Sequence, residues 1–306
     1  MKKINKCIII GGGISGLSAS IYAARLKLKP IIFTENKLGG LLNYANNIEN
    51  YPGFINIKGK KLINNIKKQT LKYGTKIYNF KVKKIIFKKK IHKVILNNNK
   101  KIKTYGIIIA TGSKNKKIKI KNQNKYLGKG LSYCALCDGI FYKKKNIAII
   151  GGGETAIENA LYLSNICNKI YLIVRNKKLK ISYISLNKIN KKKNIYIKYN
   201  FVLKKIIGKN KIKKIIILNN ITNKKNVLNI SGLFIAIGFI PNNKLFKNSL
   251  LKMDKKGYII TKNTYTNIPG VFASGDIMDN KFKQISIASS NGIIATINLF
   301  NYLINI

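Results

Sequence analysis

Acidic side chains are almost missing from this chain. Of its 306 residues only 8 are Asp or Glu, against 60 Lys and Arg, for a formal net charge of +52. Tryptophan is absent, and Arg25 and Arg175 are the only arginines. Such a charge by itself would suggest nucleic acid or an anionic membrane as partner. The distribution argues otherwise: the basic residues are nearly all Lys, spread through strands and loops alike, with no patch that interleaves Arg and aromatics. Lys, Asn and Ile share codons made only of A and T, so their abundance reads as coding bias and the lysines as a solvated surface. A specific nucleic-acid partner is not expected, only weak, salt-sensitive adhesion to polyanions.

Cysteine is scarce as well. Cys7, Cys134, Cys137 and Cys167 are too few for the disulfide framework of a secreted protein of this length. The basic start leads into an apolar run, Cys7 to Ile10, too short for a signal-peptide core. No long uninterrupted apolar segment predicts a membrane span. The chain reads as cytoplasmic, with no membrane partner. Histidine occurs once: His92 lies in a Lys-rich strand and is expected as an exposed surface residue rather than a base. The length suits two domains, each with its own core.

Against this background an internal duplication stands out. Residues 6–35, KCIIIGGGISGLSASIYAARLKLKPIIFTE, have a counterpart in 146–175, NIAIIGGGETAIENALYLSNICNKIYLIVR. Each copy reads strand, glycine turn, helix, strand, with apolar runs that suit buried parallel strands. Two βαβ units predict two Rossmann-like dinucleotide-binding domains in an α/β fold. Two further strand–glycine segments, IIIATGS (107–113) and LFIAIGFIPN (233–242), follow the two copies. A last segment, IPGVFASGDIMD (268–279), has the look of a cofactor-contacting strand and turn. The simplest arrangement inserts the second domain into the first, as 1–114 plus 245–306 and 115–244. The stretch 188–229 reads as an antiparallel meander without chemistry.

The motifs carry the chemistry. In Gly11-x-Gly13-x-x-Gly16 a pyrophosphate can lie against backbone N–H groups at a helix N-terminus, where side chains would block it. The strand before and helix after supply the context that a bare glycine motif lacks. Glu35 ends the next strand, about 20 positions on, where a carboxylate accepts from a ribose hydroxyl. Gly151-x-Gly153-x-x-Ala156 repeats the pattern, but its following strand ends in Arg175. No Asp or Glu occurs from Asn159 to Met253, so a basic residue there favours a 2′-phosphate, hence NADPH, with Lys177, Lys178 and Lys180 adding charge. The third motif is Ser132-Tyr133-Cys134-Ala135-Leu136-Cys137-Asp138-Gly139. Cysteines at this spacing close a redox disulfide or bind zinc; Cys7 and Cys167, in a strand and at a helix end, are poorly placed to complete a zinc site. Asp138 can serve thiol–disulfide exchange as proton donor and acceptor, or cap the following turn. Two nucleotide sites and one dithiol call for a flavin between them, since flavin accepts hydride and passes electrons to a disulfide.

In this order and along nearly the whole chain, GGGISGLSAS, ENYPG, IIIATGS, CALCDG, GGGETAIENALYLSNI, AIGFIPN and GVFASGDIMD resemble the low-molecular-weight thioredoxin reductases. The resemblance implies a homodimer that binds FAD in the first domain and NADPH in the second, and that passes electrons through the dithiol to thioredoxin. It makes Cys137 the thiol nearest the flavin, Cys134 the thiol that attacks thioredoxin, and Asp138 the acid/base. It puts Gly39, Gly40, Asn50, Thr111 and Gly112 at the FAD site, Asp276 near the ribityl chain and Gln284 near the isoalloxazine. Ser15, Leu41, Glu154, Thr155, Lys180, Gly238, Gly275 and Lys283 complete the implied cofactor contacts, and no metal is implied. Two departures stand out. The family's paired arginines and third arginine appear as Arg175, Asn176 and Lys180, and Leu41 replaces a glutamine. A reductase for another disulfide or electron carrier is the alternative reading.

Overall fold

The computed structural model describes residues 4–35, 37–45, 48–118, 120–278 and 282–306; Asp279, one of the eight acids, lies outside them. The chain divides into two compact units, Met1–Lys114 with Ile240–Ile306, and Asn115–Phe239.

The first unit opens with β1 (Asn5–Ile10), α1 (Ile14–Arg25), β2 (Ile31–Phe33), α2 (Gly59–Lys72), β3 (Lys76–Tyr78), β4 (Val82–Ile86), β5 (His92–Leu96) and β6 (Lys101–Ile109). Its sheet runs β3-β2-β1-β6-β5-β4. β1 pairs in parallel with β2 and β6, whereas β4, β5 and the start of β6 form an antiparallel arm. Both faces of β1 are covered, which is why it is apolar without alternation. Cys7 and Ile9 enter the core under α1, and Ile8 and Ile10 enter the core on the opposite face.

His92 corrects the sequence reading. It is fully buried. His92, Val94 and Leu96 point inward from β5 while the residues between are only partly covered, so the period-2 pattern, not the local lysine content, decides its side. Its Nδ1 accepts the Lys88 N–H at 3.2 Å, leaving Nε2 to donate to the Pro269 carbonyl at 3.1 Å. Burial lowers its pKa, which suits the neutral ring this bonding requires.

At β7 (Ser113–Asn115) the chain passes into the second unit: β8 (Leu131–Ser132), α3 (Ala135–Asp138), β9 (Ile147–Ile150), α4 (Glu154–Ser164), β10 (Ile170–Val174), α5 (Tyr183–Asn190), β11 (Ile195–Tyr199), β12 (Phe201–Ile207), β13 (Lys214–Asn219), β14 (Lys225–Asn229) and β15 (Gly232–Ile235). Here a five-stranded sheet runs β11-β10-β9-β15-β8, every pair parallel. The stretch 188–229 is therefore not all meander. It starts in α5, contributes β11 to the parallel sheet, and only β12–β14 pair antiparallel.

The chain returns through β16 (Phe239–Pro241), which pairs with β7, and ends in β17 (Val271–Ala273) and α6 (Ile285–Ile304). β17 lies parallel to the end of β6. By length and composition α6, at 20 residues, is apolar enough to cross a membrane, a segment the sequence reading did not expect. Its polar positions explain the difference: Ser286, Ser289, Ser290, Asn291, Asn298 and Asn301 interrupt the apolar run. Thr296 Oγ1 donates to the Ala19 carbonyl and Ser18 and Ser289 share a hydrogen bond, so one face of α6 is a core face against α1.

Candidate active site

The two glycine-rich turns are built alike. Gly11 and Gly151 leave β1 and β9 with φ of +115° and +155°, where a side chain is strained, and a Cβ on either would run into the backbone of the neighbouring strand's exit, at Ala110 or Ala236. Gly16 packs on the Gly11 carbonyl. Ala156 occupies the equivalent place in the second turn, where a Cβ on Gly151 would lie 2.8 Å from it. The middle glycines differ from their neighbours: around Gly13 and around Gly153 a Cβ would meet nothing within 4 Å. Each is the N-cap of its helix, extended in backbone and without a side-chain cap. The N-termini of α1 and α4 thus lack a side-chain cap and have open space beside the capping glycine, the arrangement a pyrophosphate fits.

Several of the implied residues lie at or near the first turn. The Gly39 N–H donates to the Gly12 carbonyl at 2.7 Å, bringing Gly39 and Gly40 to the turn. Ser15 Oγ donates to Ser274 Oγ at 2.8 Å, beside Gly275. Ser113 Oγ donates to Asp276 Oδ2 at 3.3 Å. Burial raises the Asp276 pKa, opposed by the charge of Lys283 and the Ser113 bond. Asn50 Nδ2 donates to Gln284 Oε1 at 3.2 Å, joining two residues far apart in sequence. Thr111 Oγ1 is buried without a hydrogen-bond partner, a polar atom of the kind a ligand completes. Glu35 stands just past β2 and pairs with Lys81 Nζ at 2.6 Å; both side chains are half exposed. Leu41 is exposed.

At the second turn the Lys180 N–H donates to the Gly152 carbonyl at 2.8 Å, and Leu179 packs toward Gly152. Arg175 follows β10 directly and is exposed. Glu154 and Thr155 begin α4. Gly238, at φ +93°, lies just past the strand exit at Ala236.

The dithiol belongs to this second unit. Cys134 and Cys137 form a disulfide, their Cα atoms 5.3 Å apart, at the start of α3. Cys134 is the N-cap, and its sulfur accepts the Cys137 N–H at 3.2 Å. An N–H aimed at sulfur stabilises a thiolate once the bond is reduced. Ser132, the first residue of the motif and one given no role from sequence, joins the pieces. Its hydroxyl accepts the Cys134 N–H at 3.0 Å, lies 3.2 Å from the Cys134 carbonyl, and hydrogen-bonds Asp138. Burial pushes the Asp138 pKa up and the Ser132 bond opposes the rise. Asp138 makes no capping hydrogen bond to the next turn. Cys7 and Cys167 are buried, with thiols pushed up to about 12 and about 11 by desolvation, so neither is a reactive thiol. Among the described residues no three His, Cys, Asp or Glu side chains come together to hold a metal.

A protein that can take up two dinucleotides and cycle one disulfide is, by its chemistry, a nucleotide-dependent dithiol oxidoreductase. Comparison with known proteins narrows the class. The pyridine nucleotide-disulphide oxidoreductase family matches residues 5–292, and the chain belongs to that family. It is 42% identical to the thioredoxin reductase of Buchnera aphidicola subsp. Schizaphis graminum, over 99% of this chain and 98% of the relative. It is 38% identical to that of Rickettsia typhi, over 99% of each. In three dimensions it matches the crystal structure of thioredoxin reductase from Streptococcus pyogenes with a TM-score of 0.95, at 30% identity over all of both chains.

Proposed function

We propose that the protein reduces thioredoxin with electrons from NADPH, passed through FAD to the Cys134–Cys137 pair. The observation that carries this reading is a half-buried disulfide directly followed by a half-buried carboxylate, in a chain with two uncapped dinucleotide turns and full-length thioredoxin reductase relatives. FAD and NADPH are the cofactors; FAD, when bound, accepts hydride and passes on an electron pair that a disulfide can take. The first unit holds FAD, with Gly11, Gly13 and Gly16 at the pyrophosphate, Glu35 at the ribose, and Thr111, Asn50, Gln284 and Asp276 along the rest. The second holds NADPH, with Gly151 and Gly153 at the pyrophosphate and Arg175 and Lys180 at the 2′-phosphate.

In the reduced protein Cys134 attacks thioredoxin's disulfide as thiolate. A mixed disulfide forms and one thioredoxin sulfur leaves. Cys137, the thiol nearest the flavin, then attacks Cys134, restoring the internal disulfide and freeing the second thioredoxin sulfur. Two electrons and two protons pass to thioredoxin in all, and Asp138 carries protons at the reacting sulfurs. Its raised pKa keeps a protonated fraction above the usual carboxylate range. Leu136, Ile140 and Phe141, exposed beside the disulfide, give a protein substrate an apolar surface to meet. A homodimer in the cytoplasm completes the proposal. NADPH consumption with thioredoxin as acceptor tests it, and no turnover by flavin-replete protein would overturn it.

A further inference from the structure

Between β10 and α5 the chain makes a short loop, 175–182, that carries Arg175, Lys177, Lys178 and Lys180, all exposed. Like charges so close repel one another, and a free loop would spread them. This loop is tied at both ends. At its start Asn220 Nδ2 donates to the Arg175 carbonyl at 3.0 Å, and the Asn200 N–H donates to the Asn176 carbonyl at 3.4 Å. At its end the Lys180 N–H holds the Gly152 carbonyl at 2.8 Å. The final tether is a side chain. Glu154 Oε1 accepts the Ser182 N–H and Oε2 accepts Ser185 Oγ at 2.6 Å. Ser182 in turn caps α5, its hydroxyl accepting the Ser185 N–H at 3.3 Å.

Glu154 sits directly after Gly153, as the first residue of α4. A free carboxylate there would oppose a pyrophosphate at the same helix end by like charge. Both of its oxygens are instead engaged by the start of α5, and hydrogen bonds to a charged acceptor are the stronger kind. We propose that Glu154 is a positioning residue for coenzyme choice. It latches the end of the cationic loop to the glycine-rich turn, so that Arg175 and Lys180 stay set for a 2′-phosphate, and it does not itself touch the coenzyme. This deepens the NADPH reading of the second unit and rests on it.

Calorimetry on the full-length, FAD-loaded protein with 2′,5′-ADP and 5′-AMP as probes isolates the 2′-phosphate in their affinity ratio. Glu154→Ala is expected to weaken 2′,5′-ADP about fivefold to tenfold and 5′-AMP less than about twofold. Ser185→Ala, which leaves the turn and α4 intact, takes part of the same loss, and both changes together lose no more than Glu154→Ala alone. Glu154→Gln, which keeps a carbonyl acceptor, recovers part of the ratio. An unchanged ratio in Glu154→Ala and Ser185→Ala overturns the latch. Tighter binding of both probes by Glu154→Ala also overturns it and makes Glu154 a repelling charge. Equal binding of the two probes by the unaltered protein overturns the NADPH reading itself.

Discussion

Replacing Gly13 by alanine should separate what the first turn needs to fold from what it needs to bind. The new Cβ meets no protein atom within 4 Å, and the backbone at φ −75° is open to any residue. In the cofactor-free protein the lower chain entropy of alanine contributes about 0.4–1 kcal/mol, offset by the preference of a helix N-cap for glycine, so the net change stays within about 1 kcal/mol. On the proposed FAD site, the methyl takes up the space through which the pyrophosphate would approach the α1 N-terminus. Overpacking of that kind costs about 1–3 kcal/mol, or about 5- to 150-fold in affinity. Gly16→Ala is the contrast, because its Cβ collides with the Gly11 carbonyl oxygen whether or not FAD is bound. It should destabilise both forms by about 3 kcal/mol or more. Flavin absorbance per protein across a FAD dilution series, with melting curves of the flavin-stripped protein, reads both effects. If Gly13→Ala keeps full FAD affinity, or loses it only in step with a lowered apo melting temperature, the reasoning fails.

Cys134→Ser should retain flavin while thioredoxin-dependent NADPH consumption falls about 10³-fold or more, since serine cannot supply the thiolate; retained turnover would assign the chemistry elsewhere. Arg175→Ala should lower the preference for NADPH over NADH in kcat/KM by about tenfold, and an unchanged ratio would remove Arg175 from the 2′-phosphate site. Asp138→Asn bears on pH. The folded-state pKa is raised, so the protonated form's stability is fully present below the unfolded pKa and is lost as pH rises through the folded one. Asparagine, which carries no charge to bury, should therefore melt higher than the parent at neutral pH while turning over thioredoxin more slowly; a variant that melts lower at neutral pH would show that the charged carboxylate is stabilised in place.

Much of the fold could be read from pattern. The two strand–glycine–helix copies lie where the motif spacing puts them because a parallel strand buried on both faces must be continuously apolar, and Ile8–Ile10 and Ile147–Ile150 are. Local content misled where tertiary cover decided. His92 looked like a surface residue among lysines, but alternation along β5 turns it inward against Pro269. β11 looked like part of a meander, but its pairing partner is β10, which no local signal specifies. Ser132 opens the cysteine motif but gets no role from sequence, because a serine two residues before a cysteine is unremarkable until the turn folds its hydroxyl between the Cys134 backbone and Asp138.

Composition and motif spacing alone set which residues are available for the chemistry: two glycine turns, one close cysteine pair, and so few carboxylates that those present draw the eye. Motifs are local, and spacing is enough to place a turn on a helix start. How those residues are held follows from packing in the folded chain. The Asn50–Gln284 and Ser113–Asp276 bonds and the Glu154 hold on α5 join positions far apart in the chain. Such contacts form only when packing within each unit brings its own elements together, and no period or spacing in the chain encodes them.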